Sequence, residues 1–307
     1  MRVAVVDIGT NSTRLLVAEV HEGRVVEELA RESRVTRLGQ GVDATGSLSD
    51  EAMDRVFAVL ADYRAAIDEL KADRTTAVLT SAVRDASNGS DFQREVKARF
   101  NLEGRVIPGA EEAALTFLGA TSERDDGADG GECVVIDIGG GSTEVVVGRG
   151  KDVSFFVSMQ VGVVRQTERH LENDPPTHEE LTSLAEEVAA RIDDEVPRDV
   201  RARVNTAIAV AGTATSCAAI DLALDPYDAS RTHGHHLPLA RLDELLARLA
   251  QMPNHERRTV VGLHPDRAPT IVAGVAVLIE VLRAFGLEEV EVSEHDILRG
   301  AALRLAN

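Results

Sequence analysis

Two stretches of this chain carry the same hydrophobic pattern. Residues 3–17 read VAVVDIGTNSTRLLV and residues 133–147 read CVVIDIGGGSTEVVV; seven of the fifteen aligned positions are identical, including Asp7/Asp137, Gly9/Gly139, Ser12/Ser142 and Thr13/Thr143. Each copy is an apolar run, a short Gly/Ser/Thr segment and a second apolar run, which predicts strand, tight turn, strand. Self-similarity at a fixed offset marks a duplicated architecture. The chain therefore reads as two copies of one strand-led unit.

Elsewhere the apolar spacing switches between helical and strand-like. A helix is predicted over Leu48–Leu70 after a Ser-Asp-Glu start, a short strand over Thr76–Thr80 and a helix over Glu111–Gly119. In the second half, helices are predicted over Glu179–Asp194, Ala214–Leu222, Leu239–Ala250 and Ala268–Phe285, with strands at Ala207–Val210 and Val290–Val292. Pro175-Pro176 and Pro197 fall between helices rather than inside them. Residues 122–132, SERDDGADGGE, are acidic and glycine-rich, as an exposed connection is. The expected organisation is an α/β chain of two domains, 1–124 and 125–307. The pattern does not say whether a last helix over Asp296–Leu305 packs on the second domain or crosses to the first.

The balance of 33 basic against 52 acidic residues gives a formal charge of −19. Such a field opposes nucleic acid and acidic membrane surfaces, so neither is expected as a partner. It opposes any polyanionic substrate too, unless arginines, backbone amides and a divalent cation reverse the potential locally. Cys133 and Cys217 are far apart and in no ligand spacing, which fits a reducing cytoplasm; both are flanked by apolar residues and are expected in the core. Met1–Asp7 has no basic region leading into a long apolar stretch, so no secretion signal is expected, and the apolar run Ile271–Ile279 is too short to cross a bilayer.

The candidate chemistry lies in the duplicated turns. In Asp7-Ile8-Gly9-Thr10-Asn11-Ser12 and Asp137-Ile138-Gly139-Gly140-Gly141-Ser142, glycines let backbone N–H groups converge on an anion while Thr, Asn and Ser add donors. Asp7 and Asp137, at the ends of their strands, are placed to hold a hydrated Mg²⁺ or another divalent cation opposite the same phosphate. A plain pair of hairpins would also contain Gly and Asp, but two matched copies favour the ligand reading. A third glycine element, Val210-Ala211-Gly212-Thr213-Ala214-Thr215-Ser216, opens a helix after a strand, so Gly212 and Thr213 can meet a ligand at the helix N-terminus.

Strand-aspartate-glycine loops in both halves, with a third downstream, resemble the actin, hexokinase and heat-shock ATPase superfamily, which implies two actin-like (ribonuclease H-like) domains around a cleft. Fold alone assigns no chemistry. The narrower resemblance runs through DIGTNSTRLLV, VTRLGQGVDATGSLS, TSAVRDASNG, IPGAEEAALTFLGA, DIGGGSTEVVVG, AGTATS, GLHPDRAPTIVAG and SEHDILRG. In that order, over nearly the whole chain, they resemble the exopolyphosphatase and guanosine pentaphosphate phosphohydrolase family, in its short two-domain bacterial form.

The resemblance implies hydrolysis of a terminal phosphate, from inorganic polyphosphate or guanosine pentaphosphate, by a homodimer. Helical periodicity leaves Glu111 and Glu112 unresolved, since neighbouring helix positions point about 100° apart; the resemblance makes Glu112 the general base. It also places Glu144 near the metal and Arg84 in the phosphate channel. Arg14, just after the first loop, and Arg84 offer fork-like donors to phosphate oxygens. With Gly9, Thr10, Asn11, Ser12, Gly139, Gly140, Gly141, Ser142 and Thr143 they make up the expected phosphate site. Arg165, Arg267 and Arg299 are weaker candidates, read as surface arginines. His233, His235 and His236 have no ligand companion in a known spacing and read as a turn, and His295 as part of a C-terminal cap. A long polyanion would extend from a local positive pocket into a repulsive field, so short chains are expected to be preferred. The competing readings are a kinase of the same superfamily, disfavoured by the EEA segment, and a non-catalytic actin-like nucleotide-binding protein.

Overall fold

The computed structural model describes residues 1–124, 131–150 and 152–306. The connection expected over 122–132 falls largely on 125–130, outside the described residues. The fold is α/β and divides into two compact units, one made of Met1–Ser122 with His295–Asn307, the other of Glu123–Glu294.

The first unit begins with β1 (Arg2–Ile8), β2 (Ser12–His21) and β3 (Arg24–Val35), successive antiparallel neighbours. Helices α1 (Val42–Thr45) and α2 (Asp50–Glu69) follow. The Ser49 hydroxyl accepts the Ala52 amide at the start of α2, and Asp50 and Glu51 occupy its first turn, where the helix dipole favours carboxylates. β4 (Arg74–Leu79) then pairs parallel with β1 and leads to α3 (Ser81–Asp85), α4 (Gly89–Phe100), β5 (Gly104–Val106) and α5 (Gly109–Thr121). The sheet order is β3-β2-β1-β4-β5. β1 is apolar on both faces, and such a strand is stable only in a sheet covered on both sides. Ala4, Val6 and Ile8 pack with Val56, Leu60, Tyr63 and Ile67 of α2 and with Phe92 and Val96 of α4.

The second unit repeats the plan. β6 (Glu132–Ile138), β7 (Thr143–Arg149) and β8 (Asp152–Met159) are again antiparallel neighbours. α6 (Val163–His170) and α7 (His178–Glu195) follow, the latter opened by a reciprocal Thr177/Glu180 capping box. After α8 (Arg198–Arg201), β9 (Val204–Val210) pairs parallel with β6 and runs into α9 (Ala211–Asp221). The remaining elements are α10 (Ala229–Thr232), β10 (His236–Pro238), α11 (Leu239–Ala250), α12 (Asn254–Arg257), a 3₁₀ turn at Pro265–Arg267, α13 (Ile271–Phe285) and β11 (Glu289–Val292). The sheet order is β10-β11-β9-β6-β7-β8, so the first four strands of each unit share one arrangement. Val134, Ile136, Ile138, Val145 and Val147 pack with Leu184, Val188 and Ile192 of α7 and with the buried residues of α13. Among the described residues no helix is long and apolar enough to cross a membrane. Cys217 is buried in α9, but Cys133, expected in the core, is only partly covered because it lies near the open end of β6.

The chain ends in α14 (Ile297–Ala306), and this helix belongs to the first unit. The division therefore departs from 1–124 and 125–307: the chain leaves the first unit after Ser122 and re-enters it at His295. The reason is apolar complementarity. Ile297, Leu298, Ala301 and Ala302 cover Val3, Val5, Leu16 and Ala18, the face of the first sheet that α2 and α4 leave open. α14 lies directly against α5, where Gly119 and Gly300 permit backbone contact: a Cβ on Gly300 would sit 1.8 Å from the Leu115 carbonyl oxygen, and one on Gly119 1.9 Å from that of Asp296.

Candidate functional site

In the first unit the loop between β1 and β2 is held by its carbonyls. Gly9 donates its amide to the Ser12 carbonyl at 3.0 Å, closing the turn. The Thr10 carbonyl accepts from the Gly39 amide, and the Asn11 carbonyl accepts from the amides of Thr36 and Arg37, in the segment that follows β3. In a planar trans peptide the C=O and the next N–H point in opposite directions. The amides of Asn11 and Ser12 therefore face away from that segment, and neither has a backbone acceptor among the described residues. Thr10 anchors the loop sideways, its Oγ1 lying 2.8 Å from Ser81 Oγ and accepting the Ala82 amide at the start of α3.

Asp7, the penultimate residue of β1, is buried. Its cross-strand partner is Arg14, whose Nε and Nη2 both reach Asp7 Oδ2, at 2.8 and 2.6 Å. Arg14 Nη1 donates to Asp296, just ahead of α14. Asp7 Oδ1 is buried and has no hydrogen-bond partner. Burial raises the Asp7 pKa above the usual carboxylate value, and Arg14 opposes the rise. Arg14, expected to reach for phosphate, is thus engaged by two carboxylates of its own unit.

Two further expected residues meet at the start of α5. Glu112 is buried, and its Oε2 accepts from Arg84 Nη1 at 3.1 Å; the same nitrogen donates to the Ile107 carbonyl. Glu111 points elsewhere and accepts from Arg105 at 2.7 Å and from Arg304 at 3.2 Å. The Arg105 hydrogen bond holds its carboxyl below the usual range. Periodicity left the pair undecided; packing separates them into a buried glutamate beside Arg84 and a half-exposed one in a surface ion pair.

The second unit builds its loop with the same device. The carbonyls of Gly139, Gly140 and Gly141 accept from the amides of Gly162, Val163, Val164 and Arg165, at and just before the first turn of α6. Peptide planarity then turns the amides of Gly140, Gly141 and Ser142 away from α6. Gly162 makes this approach possible, since a Cβ there would lie 2.4 Å from the backbone of Gly140 and Gly141. Gly39 plays the matching part in the first unit, where a Cβ would lie 2.2 Å from Thr10 Cγ2. Neither supporting glycine stands out in the sequence, because each acts through a contact with a loop distant along the chain.

Where Asp7 faces an arginine, Asp137 faces a carboxylate: Glu144 lies directly opposite it in the β6–β7 ladder. Both are buried. Glu144 Oε1 accepts from Ser142 Oγ at 2.8 Å and Ser158 Oγ at 2.6 Å, and Thr143 Oγ1 donates to the Val161 carbonyl. Like charges directly opposite on a sheet repel, so this pair suits a cation. At the head of α9, Gly212 carries Arg267 on its carbonyl at 2.7 Å, and Arg267 also reaches Ser216 Oγ at 3.0 Å; Thr213 is buried behind them. Ala211, at the junction of β9 and α9, has a left-handed φ of 62°, a strained conformation for a residue with a side chain.

The three arginines read as surface residues are not exposed. Arg165 Nε donates to the Gly141 carbonyl, Arg267 lies on α9, and Arg299 is buried against Ser122, Glu28 and His295. Each is drawn in because a guanidinium can satisfy several acceptors at once. His235 pairs with Asp221 and His236 with Glu289, around β10, in the turn region expected for them.

The Ppx/GppA phosphatase family model matches residues 16–305. The chain is 40% identical over 317 residues to exopolyphosphatase 2 of Mycobacterium tuberculosis, covering 99% of this chain and 98% of that protein. The crystal structure of the Aquifex aeolicus Ppx/GppA family member superposes with a TM-score of 0.81 at 32% identity, over 99% of this chain and 97% of the other. An exopolyphosphatase structure from Cytophaga hutchinsonii gives 0.88 at 26% identity, over 98% and 96% of the two chains.

The supporting glycines make the loop geometry testable. Gly162→Ala, by pushing α6 off the Gly140 and Gly141 carbonyls, is expected to lower phosphatase turnover at least tenfold while costing about 1–3 kcal/mol of stability, the usual range for overpacking. Turnover and thermal unfolding measured on one preparation check this, and an unchanged turnover would refute the role given to α6.

Proposed function

Because the chain belongs to the Ppx/GppA phosphatase family, we propose that it is an exopolyphosphatase, releasing the terminal phosphate of inorganic polyphosphate. The observation that carries the reading is Glu112, a carboxylate buried at the head of α5 beside Arg84, the kind of group a hydrolase needs to orient and deprotonate the attacking water.

In this reading the outward amides of Asn11 and Ser12 in the first unit, and those of Gly140, Gly141 and Ser142 in the second, are donors to phosphate oxygens. Preorganised backbone donors stabilise charge on the transferring group without reorganising during the reaction. Glu112 orients the attacking water and takes its proton, while Arg84 fixes the carboxylate through Nη1. Gly212 and Thr213, at the head of α9, are proposed to border the substrate. In the second unit Asp137 and Glu144 would hold Mg²⁺ or another divalent cation, and in the first unit Asp7 is proposed as a cation-holding residue. The residues present fit such an ion, given the opposed buried carboxylates in the second unit and the unpartnered Asp7 Oδ1 in the first. When bound, the ion supplies positive charge to screen the phosphate oxygens. With two free thiols and an acidic surface, the protein is proposed to work in the reducing cytoplasm. A homodimer belongs to the same reading, and sedimentation equilibrium should then return twice the chain mass of 32.9 kDa.

Glu112→Gln keeps the size of the side chain and removes its basicity. It is expected to lower phosphate release from polyphosphate by about 10²–10⁴-fold, the usual contribution of a general base. A variant with full activity would remove the base assigned here. Faster release from guanosine pentaphosphate than from polyphosphate would assign the chain to that substrate instead. The charge of −19 sets chain length: turnover per chain end should be higher on oligomers of a few phosphates than on chains of hundreds, and the reverse order would refute the electrostatic argument.

A further inference from the structure

Asp296 lies far from the first loop in sequence and adjacent to it in space. Asp296 Oδ2 accepts from Arg14 Nη1, while its Oδ1 accepts the Leu298 amide at 3.0 Å in the first turn of α14. One carboxylate thus starts the helix and holds the arginine. The guanidinium is consequently fixed at one end, and its other two nitrogens both fall on Asp7 Oδ2. Asp7 Oδ1, on the other side of the same carboxylate, is left buried and unpartnered.

The charges add to the geometry. Two carboxylates share one guanidinium in a buried setting, where charge without a partner is costly. A cation beside Asp7 Oδ1 would complete both the charge balance and the missing contact. A phosphate would complete neither, since Arg14 has its donors on carboxylates. The placement of Asp296 depends in turn on α14 being pressed against α5, the helix that carries Glu112, at the Gly119/Gly300 contact.

We propose that Asp296 is a positioning residue for divalent-cation binding: by holding Arg14 on Asp7 Oδ2, it keeps Asp7 Oδ1 open and oriented toward the cation. This rests on the reading of Asp7 as a metal-holding residue. It assigns a function to the segment from His295 onward, which also completes a hydrophobic face. Residues that orient a ligand from behind typically change metal affinity by about 10–100-fold when altered.

Asp296→Asn is the informative variant, because its side-chain oxygen can still cap α14 while the carboxylate charge that pairs with Arg14 is lost. Mn²⁺ titration of the substrate-free protein, followed by electron paramagnetic resonance, should show affinity weakened roughly tenfold or more. The Mg²⁺ concentration for half-maximal polyphosphate hydrolysis should rise in step, with turnover at saturating Mg²⁺ and the melting temperature near those of the parent protein. Asp296→Glu is expected to recover part of the affinity. Mn²⁺ affinity unchanged in Asp296→Asn, alongside a loss in Asp7→Asn, would overturn the proposal and leave the proposed function standing. Affinity unchanged in Asp7→Asn as well would remove Asp7 as a metal-holding residue and the proposal with it. A drop in melting temperature with no change in affinity would reduce Asp296 to a helix cap and overturn it too.

Discussion

A peptide group has two ends, and using one fixes the direction of the other. Both candidate loops depend on this constraint. Their carbonyls are taken by the amides of the segment after the third strand, 36–39 in one unit and 162–165 in the other. The intervening amides are thereby turned outward as a set. The outward direction of these amides comes less from the loops' own glycines than from a supporting segment that engages the opposite side of the same peptides. Gly39 and Gly162 make the approach close enough.

On this common scaffold the two copies have diverged in charge. The hairpin register is identical: Asp7 stands opposite Arg14 in β2, and Asp137 opposite Glu144 in β7. Exchanging arginine for glutamate at one cross-strand position converts an arginine-paired aspartate into half of a carboxylate pair. Duplication preserved the backbone that presents the amides, while single side chains at equivalent ladder positions set what each copy can hold. Fold and chemistry are carried by different residues within one motif.

The first unit is not continuous in sequence. α14 covers the open face of its sheet and delivers Asp296 to the first loop, while α5 carries Glu112 at its start and touches α14 at two glycines. One helix–helix contact therefore ties the positioning of the acidic residues to the packing of the core. Side chains at such a contact are sensitive to small displacements, because protein interiors are close-packed.

The duplicated hairpins, their terminal aspartates and the helices α2, α5, α7, α9, α11, α13 and α14 were legible along the chain, since each rests on local periodicity and turn chemistry that neighbouring residues encode; α11 runs over Leu239–Ala250, as the spacing predicts. The edge strands β3 and β8 and the short helix α6 were not distinguished, for their patterns are half polar and gain definition only against a partner. The sequence by itself determined that two aspartate-headed loops exist and that an EEA segment accompanies them. Only the tertiary structure decided that Glu112 rather than Glu111 is buried, that Arg14 serves two carboxylates, and that the last helix returns to the first unit. Each of these turns on which side chains meet across long sequence separations, and burial and charge pairing, unlike helical phase, are properties of the packed molecule.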